Sequence, residues 1–411
     1  MINFLGTQMN PAKKARISWI KVRAAFRFRR FSSKLLQVRG AEFLARRLAT
    51  KRHGGTLRWP RNVTIRITER CFLRCRMCGQ NGDRGRLRGI KASQRQIFDS
   101  RVLERIIGEI GRWPVKPFLK ISGGEPLVER EMTLAALEQA SALGLVTKLN
   151  TNGVLLAEEK LGRRVAASGV AYLSVSIDGP PDVHDQIRGR PGAYRAALQG
   201  IRNVQRYRRE VAKKPLMILV SAVVSTLNQD RIIDLARLMD EAKIDWLNFE
   251  FMNFTTPSLS ASAQGVVRDL FGVSDTPWAS FSNPELASVD PGTIAGQIAE
   301  VRRTRFSIPI SFLDIGDLSA QNIADYFLRP EAPLRRSICT TPYTSAFLIP
   351  PRQLVYCIDY PFEACADLAE ISLAAAWRGQ KADSFRRKLA GYYKRGKTNF
   401  PQCQRCNWRF N

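Results

Sequence analysis

Cys71, Cys75 and Cys78 form a C-x3-C-x2-C arrangement directly after the β-rich run Val63 to Thr68. Three thiols on one short loop point to a metal or redox group more than to disulfides, because a chain with no signal peptide folds where thiols stay reduced. A zinc ion wants a fourth protein ligand, whereas an iron-sulfur cluster held by three cysteines keeps one iron open. Both readings stand on the spacing alone. No apolar run reaches the roughly 18 to 20 residues of a spanning helix, so the chain is expected to be cytoplasmic.

The loop sits at the start of an alternating pattern. Strands are expected at Val63 to Thr68, Pro117 to Ser122, Val146 to Asn150, Ala171 to Ile177, Leu216 to Val224 and Trp246 to Phe251. Between them apolar residues recur at spacings of three and four, as in Leu103, Ile106 and Ile110, or Ile232, Leu235, Met239 and Ala242. Strand and helix in alternation imply an α/β fold of parallel strands, a wound sheet or a barrel, whose chemistry gathers at the carboxyl ends of the strands. Those ends are polar and glycine-rich. They read Ser122-Gly123-Gly124-Glu125-Pro126, Asn150-Thr151-Asn152-Gly153 and Ser174-Val175-Ser176-Ile177-Asp178-Gly179-Pro180, followed by His184, Asp185 and Arg188. Gly123 and Gly124 suit a tight turn or a backbone that meets a ligand closely.

With these segments in this order, residues 61–253 resemble the radical S-adenosylmethionine (SAM) superfamily. The resemblance implies a partial (βα)6 barrel and a four-iron four-sulfur (4Fe-4S) cluster on Cys71, Cys75 and Cys78, with SAM chelated to its open iron. SAM is then cleaved to methionine and a 5'-deoxyadenosyl radical, which abstracts hydrogen from a substrate. Gly123, Gly124, Glu125 and Pro126 would form the strand-two SAM segment, with the Glu125 carboxylate offered to the SAM ammonium as a charge-assisted contact. Asn152, Ser176 and Arg188 are further candidate SAM contacts. Asn152 also suits a plain turn, and Arg188 an ordinary surface position. His184 reads as structural, and no catalytic acid or base is assigned. Met77 stands where the family usually has an aromatic residue; its thioether could still pack on the adenine.

The last part of the chain holds Cys339, Cys357, Cys365, Cys403 and Cys406. Residues 339–411 resemble the twitch form of the SPASM extension, which implies a second, auxiliary 4Fe-4S cluster on Cys339, Cys357, Cys403 and Cys406. Arg352 and Ala366-Asp367 replace the family's usual glycine and Gly-Asn. Cys365 matches no ligand position and suits a small buried apolar residue. A zinc ribbon on Cys403 and Cys406 is the competing reading. Residues 254–338 are a connecting segment. Its stretch from Thr255 to about Pro291 is rich in Ser, Pro and Gly, shows few strong periods and is a candidate lid.

Charge is concentrated at the start. The formal net charge is +29, and residues 1–60 hold 15 Lys and Arg against Glu42 alone. Within them Ile17, Ile20, Ala24, Phe28, Phe31 and Leu35 recur at helical spacing, beside Arg23, Arg27, Arg30 and Lys34. This basic helical extension is expected to pack on the barrel, or to meet an anionic membrane surface through residues 12–36, placing the enzyme at the inner face of the membrane; nucleic acid is a lesser partner. The expected reaction is a net oxidation or bond formation on a small polar, sugar-like or lipid-linked substrate. Flavodoxin or ferredoxin would be the electron donor. Peptide maturation is the alternative, followed by RNA modification or a non-enzymatic metal or nucleic-acid-binding role.

Overall fold

The computed structural model describes residues 57–211, 215–274, 276–312, 315, 317–332, 339–357, 364–394, 403, 405 and 406. The expected basic helix of residues 12–36 lies outside them. Each of the six expected strands is present with its ends within two residues of expectation. They are β1 (Asn62–Arg66), β2 (Phe118–Ser122), β3 (Val146–Thr151), β4 (Tyr172–Ser176), β5 (Met217–Val224) and β6 (Trp246–Phe251). All pair in parallel in that order. On β2, Leu119 and Ile121 are fully buried while Phe118, Lys120 and Ser122 are half-buried, so the two faces meet different surroundings.

The buried face is covered by helices α1 (Ser100–Gly111), α2 (Arg130–Ala142), α3 (Glu159–Ala167), α4 (Pro181–Arg188), α5 (Ala193–Glu210) and α6 (Ile232–Glu241). The Asp99 side chain starts α1 by accepting from Arg101 N at 2.9 Å and Val102 N at 3.1 Å. Ile106, Leu137, Leu161, Ile201 and Leu235 from the helices join Ile65, Ile121, Leu149, Val175 and Leu247 from the strands in one core.

Three features depart from expectation. A seventh parallel strand, β7 (Ile310–Phe312), extends the sheet beyond β6. The segment after Thr255 is helical, with α7 (Pro257–Phe271) capped by the Thr256 side chain at 3.2 Å from Leu259 N, and α8 (Pro291–Arg303). Its buried positions Leu259, Ala263 and Val267 fall four apart. Small residues around them weaken the apolar period that sequence reading depends on.

The C-terminal strands also form no sheet of their own. β8 (Ser345–Ile349) lies parallel to β1, with Asn62 opposite Ser345, and β9 (Gln353–Val355) and β10 (Ala364–Asp367) follow antiparallel. One ten-stranded sheet results among the described residues, ordered β10-β9-β8-β1-β2-β3-β4-β5-β6-β7. The helices α9 (Ala320–Phe327), α10 (Leu373–Trp377) and α11 (Gln380–Lys394) pack around it. The Glu109 carboxylate on α1 accepts from Leu373 N and Ala374 N, each at 2.8 Å, and so caps α10 from outside. Glu109→Ala should lower stability by about 1–2 kcal/mol, the usual worth of a lost cap. The shift of the urea midpoint at unchanged slope measures it. No helix among the described residues is long and apolar enough to cross a membrane.

Candidate active site

The cysteine loop leaves β1 at the carboxyl edge of the sheet and is gripped from two sides. On one, Gly124 N donates to Thr68 O at 2.6 Å and Glu125 N to Arg70 O at 2.7 Å. A Cβ on Gly124 would stand 2.3 Å from Arg70 O, so only glycine lets the two backbones meet. On the other, Arg76 N donates to Ile187 O at 2.9 Å, and a Cβ on Gly189 would stand 2.8 Å from Arg74 O. Gly189 also has φ +65°, the left-handed region that ends α4.

Within the loop, amide hydrogens face sulfur. Leu73 N approaches Cys71 Sγ at 3.4 Å, and Gln80 N and Asn81 N approach Cys78 Sγ at 3.4 Å each. The three thiols lie close enough to act on one another electrostatically. Burial pushes Cys71 up to about 12 and raises Cys75, so loading with a metal centre must displace protons from them. Among the described residues no group of three His, Cys, Asp or Glu side chains could hold a metal ion. Thiols spread around one loop, with amide donors turned to sulfur, fit a cluster whose ligands each bind a different iron.

Burial and pairing decide what the other candidates can do. Arg188 is no surface residue. Its Nη2 lies 2.7 Å from Asp178 Oδ2, and its Nη1 lies 3.6 Å from Cys75 Sγ, with Asp178 fully enclosed. Asp178 belongs to the quoted strand-four segment, yet no role was read for it. Its signal was the ten-residue offset to Arg188, which one short helix folds back into contact. Asp178 also accepts from Val223 N at 3.0 Å through Oδ1. His184 is buried, and its Nδ1 accepts from Asp178 N at 3.1 Å; burial and the Arg188 charge lower it to about 3, so it stays neutral.

Glu125 braces two strand ends. It is fully enclosed, and its carboxylate accepts from Leu127 N at 3.1 Å, Thr151 Oγ1 at 2.8 Å and Asn152 N at 2.7 Å. The side chain therefore ties the end of β2 to the end of β3. Burial pushes its carboxyl from 4.5 up to about 7, against the lowering effect of those donors. A carboxyl raised by folding stabilises the chain below its unfolded value, and this stability is lost as pH rises from about 4.5 to 7. The loss should approach roughly 3 kcal/mol, and the Glu125→Gln variant should not show it. Urea midpoints of both proteins at pH 5 and pH 8 test this.

Pro126 is buried, and its carbonyl accepts from Thr133 Oγ1 at 2.7 Å. Asn152 Oδ1 accepts from Val154 N at 3.0 Å, the turn role, while its buried Nδ2 has no hydrogen-bond partner. Ser176 is half-buried at the end of β4 and lies opposite Ser221. Met77 packs against core side chains.

In the tail, Cys406 N donates to Cys403 O at 3.3 Å. Tyr393 lies within electrostatic reach of both Cys339 and Cys403, and the Cys339 backbone bonds its hydroxyl. Cys357 packs on the cluster of Ala263, Val267 and Trp278 from the helical insert. Phe281 of the same insert lies on Gly79, where a Cβ would meet its ring at 2.7 Å. The insert expected as a lid thus packs both on the residue after Cys78 and on Cys357. Cys365 is buried in the core of the tail, as its unmatched position suggested.

Residues 65–239 match the radical SAM superfamily. A pre-heme d1 synthase of Dinoroseobacter shibae is 32% identical over 191 residues, 45% of this chain and 42% of that protein. A PqqA peptide cyclase of Rhodopseudomonas palustris is 27% identical over 208 residues, 49% and 50% respectively. The chain thus spans about half the length of these curated relatives or less. The crystal structure of Streptococcus suis SuiB bound to S-adenosylmethionine superposes with a TM-score of 0.55 over 81% of this chain and 68% of that one, at 16% identity, a likeness of fold.

Proposed function

From the match of residues 65–239 to the radical SAM superfamily we propose that the protein cleaves SAM reductively and uses the radical for a net oxidation or bond formation on a small polar, sugar-like or lipid-linked substrate. The observation that carries this reading is the loop of Cys71, Cys75 and Cys78, gripped by Gly124 and Gly189 and turned toward the buried Arg188–Asp178 pair. Cys71, Cys75 and Cys78 would hold a 4Fe-4S cluster, which when bound would supply the electron for reductive cleavage of SAM. Arg188, fixed by Asp178, keeps a positive charge beside Cys75, where it can offset the thiolate's charge and meet a ligand carboxylate. Asn152 Nδ2 and Ser176 Oγ offer polar contacts at adjoining strand ends. The walls from Phe281 and Met77 keep water from that edge.

Cys339, Cys357, Cys403 and Cys406 are proposed to hold an auxiliary cluster that takes an electron from the substrate. The meeting of Cys339 and Cys403 at Tyr393 supports it. Similarity to a named peptide cyclase favours a second reading, peptide maturation. Anaerobic reconstitution, iron and sulfide determination, then SAM with a strong reductant form the test. About eight irons per chain with 5'-deoxyadenosine formed supports the proposal, and zinc in place of iron removes it. A precursor peptide that accelerates deoxyadenosine formation, where polar small molecules do not, would select the second reading.

A further inference from the structure

The cysteine loop turns different side chains to its two sides. Leu73 and Cys75 are buried, while Phe72, Arg74 and Arg76, which alternate with them, are exposed. The end of α4 completes the outer side. A Cβ on Gly189 would stand 3.7 Å from the Cβ of Arg74, so the two backbones lie against each other. The next residue, Arg190, is exposed and lays its guanidinium over the Phe72 ring, 5.1 Å from the centroid. Arg76 joins the same end of α4 through the bond of its amide to Ile187 O.

Three guanidinium groups thus surround one exposed ring. None of the three makes a side-chain hydrogen bond or ion pair among the described residues. Neighbouring arginines differ, since Arg70 pairs with Glu129 at 3.4 Å and Arg86 with Glu69 at 2.8 Å. The Asp185 carboxylate on α4 is engaged elsewhere, accepting from Gly192 N at 2.6 Å and Tyr194 N at 2.8 Å. Solvated guanidinium groups cost little at a surface, so exposure alone assigns nothing. The combination does: an aromatic ring 36% exposed among arginines has the residue types enriched at protein interfaces, and it sits on the outer side of the thiol loop.

Reductive cleavage of SAM consumes one electron, which the chain must receive from outside. We propose that Phe72, Arg74, Arg76 and Arg190 form the docking surface for a small acidic electron-carrier protein of the flavodoxin kind. Carboxylates of the carrier meet the guanidinium groups, and the exposed edge of its flavin meets the Phe72 ring. On transfer the reduced flavin loses one electron and the chain gains it at the cysteine loop. A small patch suits a transient complex, because electron-transfer interfaces are among the smallest. The inference rests on the proposed function for the need of an electron; binding of the carrier itself needs no SAM cleavage.

Calorimetric titration of the reconstituted full-length protein with oxidised flavodoxin tests it without turnover. Affinity should fall about tenfold as salt rises from roughly 50 to 300 mM. Arg74→Glu combined with Arg190→Glu should weaken binding at least about tenfold, and Arg74→Lys with Arg190→Lys should keep it. Phe72→Ala should weaken it by about tenfold at every salt concentration. Arg112→Glu, exposed just beyond the far end of α1, should have no effect. No binding at low salt, binding that ignores salt, or an equal loss in Arg112→Glu overturns the surface. A ferredoxin of matched charge that binds as tightly overturns the choice of a flavin carrier. An oligonucleotide that binds more tightly than flavodoxin, and loses this in the Glu double variant, overturns the protein partner.

Deoxyadenosine formation separates this surface from the proposed function. With photoreduced deazaflavin, a small chemical reductant, the Glu double variant should match the wild type, because the grip on the loop uses backbone atoms. With reduced flavodoxin below saturation the variant should be about tenfold slower. Equal rates with both reductants overturn the docking surface and leave the radical chemistry intact. No deoxyadenosine from the wild type with either reductant overturns the proposed function, and the titration then decides the surface.

Discussion

Cys75→Ala should nearly abolish 5'-deoxyadenosine formation and lower the iron content by about four per chain, while the sheet stays folded. Cys75 is buried at the centre of the loop, and Arg188 approaches its sulfur at 3.6 Å. Alanine removes one of the three proposed iron ligands and leaves the Arg188 guanidinium paired with Asp178. The residual rate should be at least about 10³-fold lower, since no other donor on the loop can replace the thiolate. Cys365→Ala is the matched control, because Cys365 lies in the core of the tail and outside the ligand set. It should retain its iron and its activity. Deoxyadenosine formed by Cys75→Ala at the wild-type rate would refute the assignment of this loop.

Arg405→Ala should be the most destabilising single change in the tail. The side chain is fully buried between Cys403 and Cys406, and it donates to four backbone carbonyls: Asp325 O at 2.7 Å, Ala332 O at 3.1 Å, Tyr326 O and Arg329 O. Most of these acceptors lie at the carboxyl end of α9, where a positive charge meets the negative end of the helix dipole. Tyr326 completes the knot, since its hydroxyl lies within hydrogen-bond reach of two carbonyls, Arg405 O at 2.9 Å and Met252 O at 3.1 Å, which share its single hydrogen. Truncation strands several buried acceptors together, at a cost of about 3–5 kcal/mol. Chemical denaturation measures that loss. Iron analysis should show the proposed auxiliary site emptied by the variant while SAM cleavage at the proposed first cluster persists, because the Cys71 loop is gripped by β2 and α4.

The central strands were legible because their apolar residues alternate over five to eight positions within a repeated strand and helix pattern. β7 has three residues, too few for a period to emerge, and β8 gave no sign that it would pair with β1 rather than within the tail. Pairing across so long a stretch of sequence is decided by tertiary packing and leaves no local trace. The loop cysteines could be picked out by their spacing, which left zinc and an iron-sulfur cluster both open. Glu125 could not, because the same carboxylate fits an exposed ligand contact and a buried brace, and only the three donors around it separate the two.

Asn62 and Ser345 are partners across the sheet although 283 residues separate them. During synthesis at roughly 5–20 residues per second, the outer edge of β1 therefore waits about 14–57 s for β8 to leave the ribosome. An open strand edge is a template for pairing with other chains, and this one leads straight into the cysteine loop. Iron loading that precedes the arrival of β8 would act on a loop whose supporting strand is half paired. The order of assembly follows from the sheet's own topology.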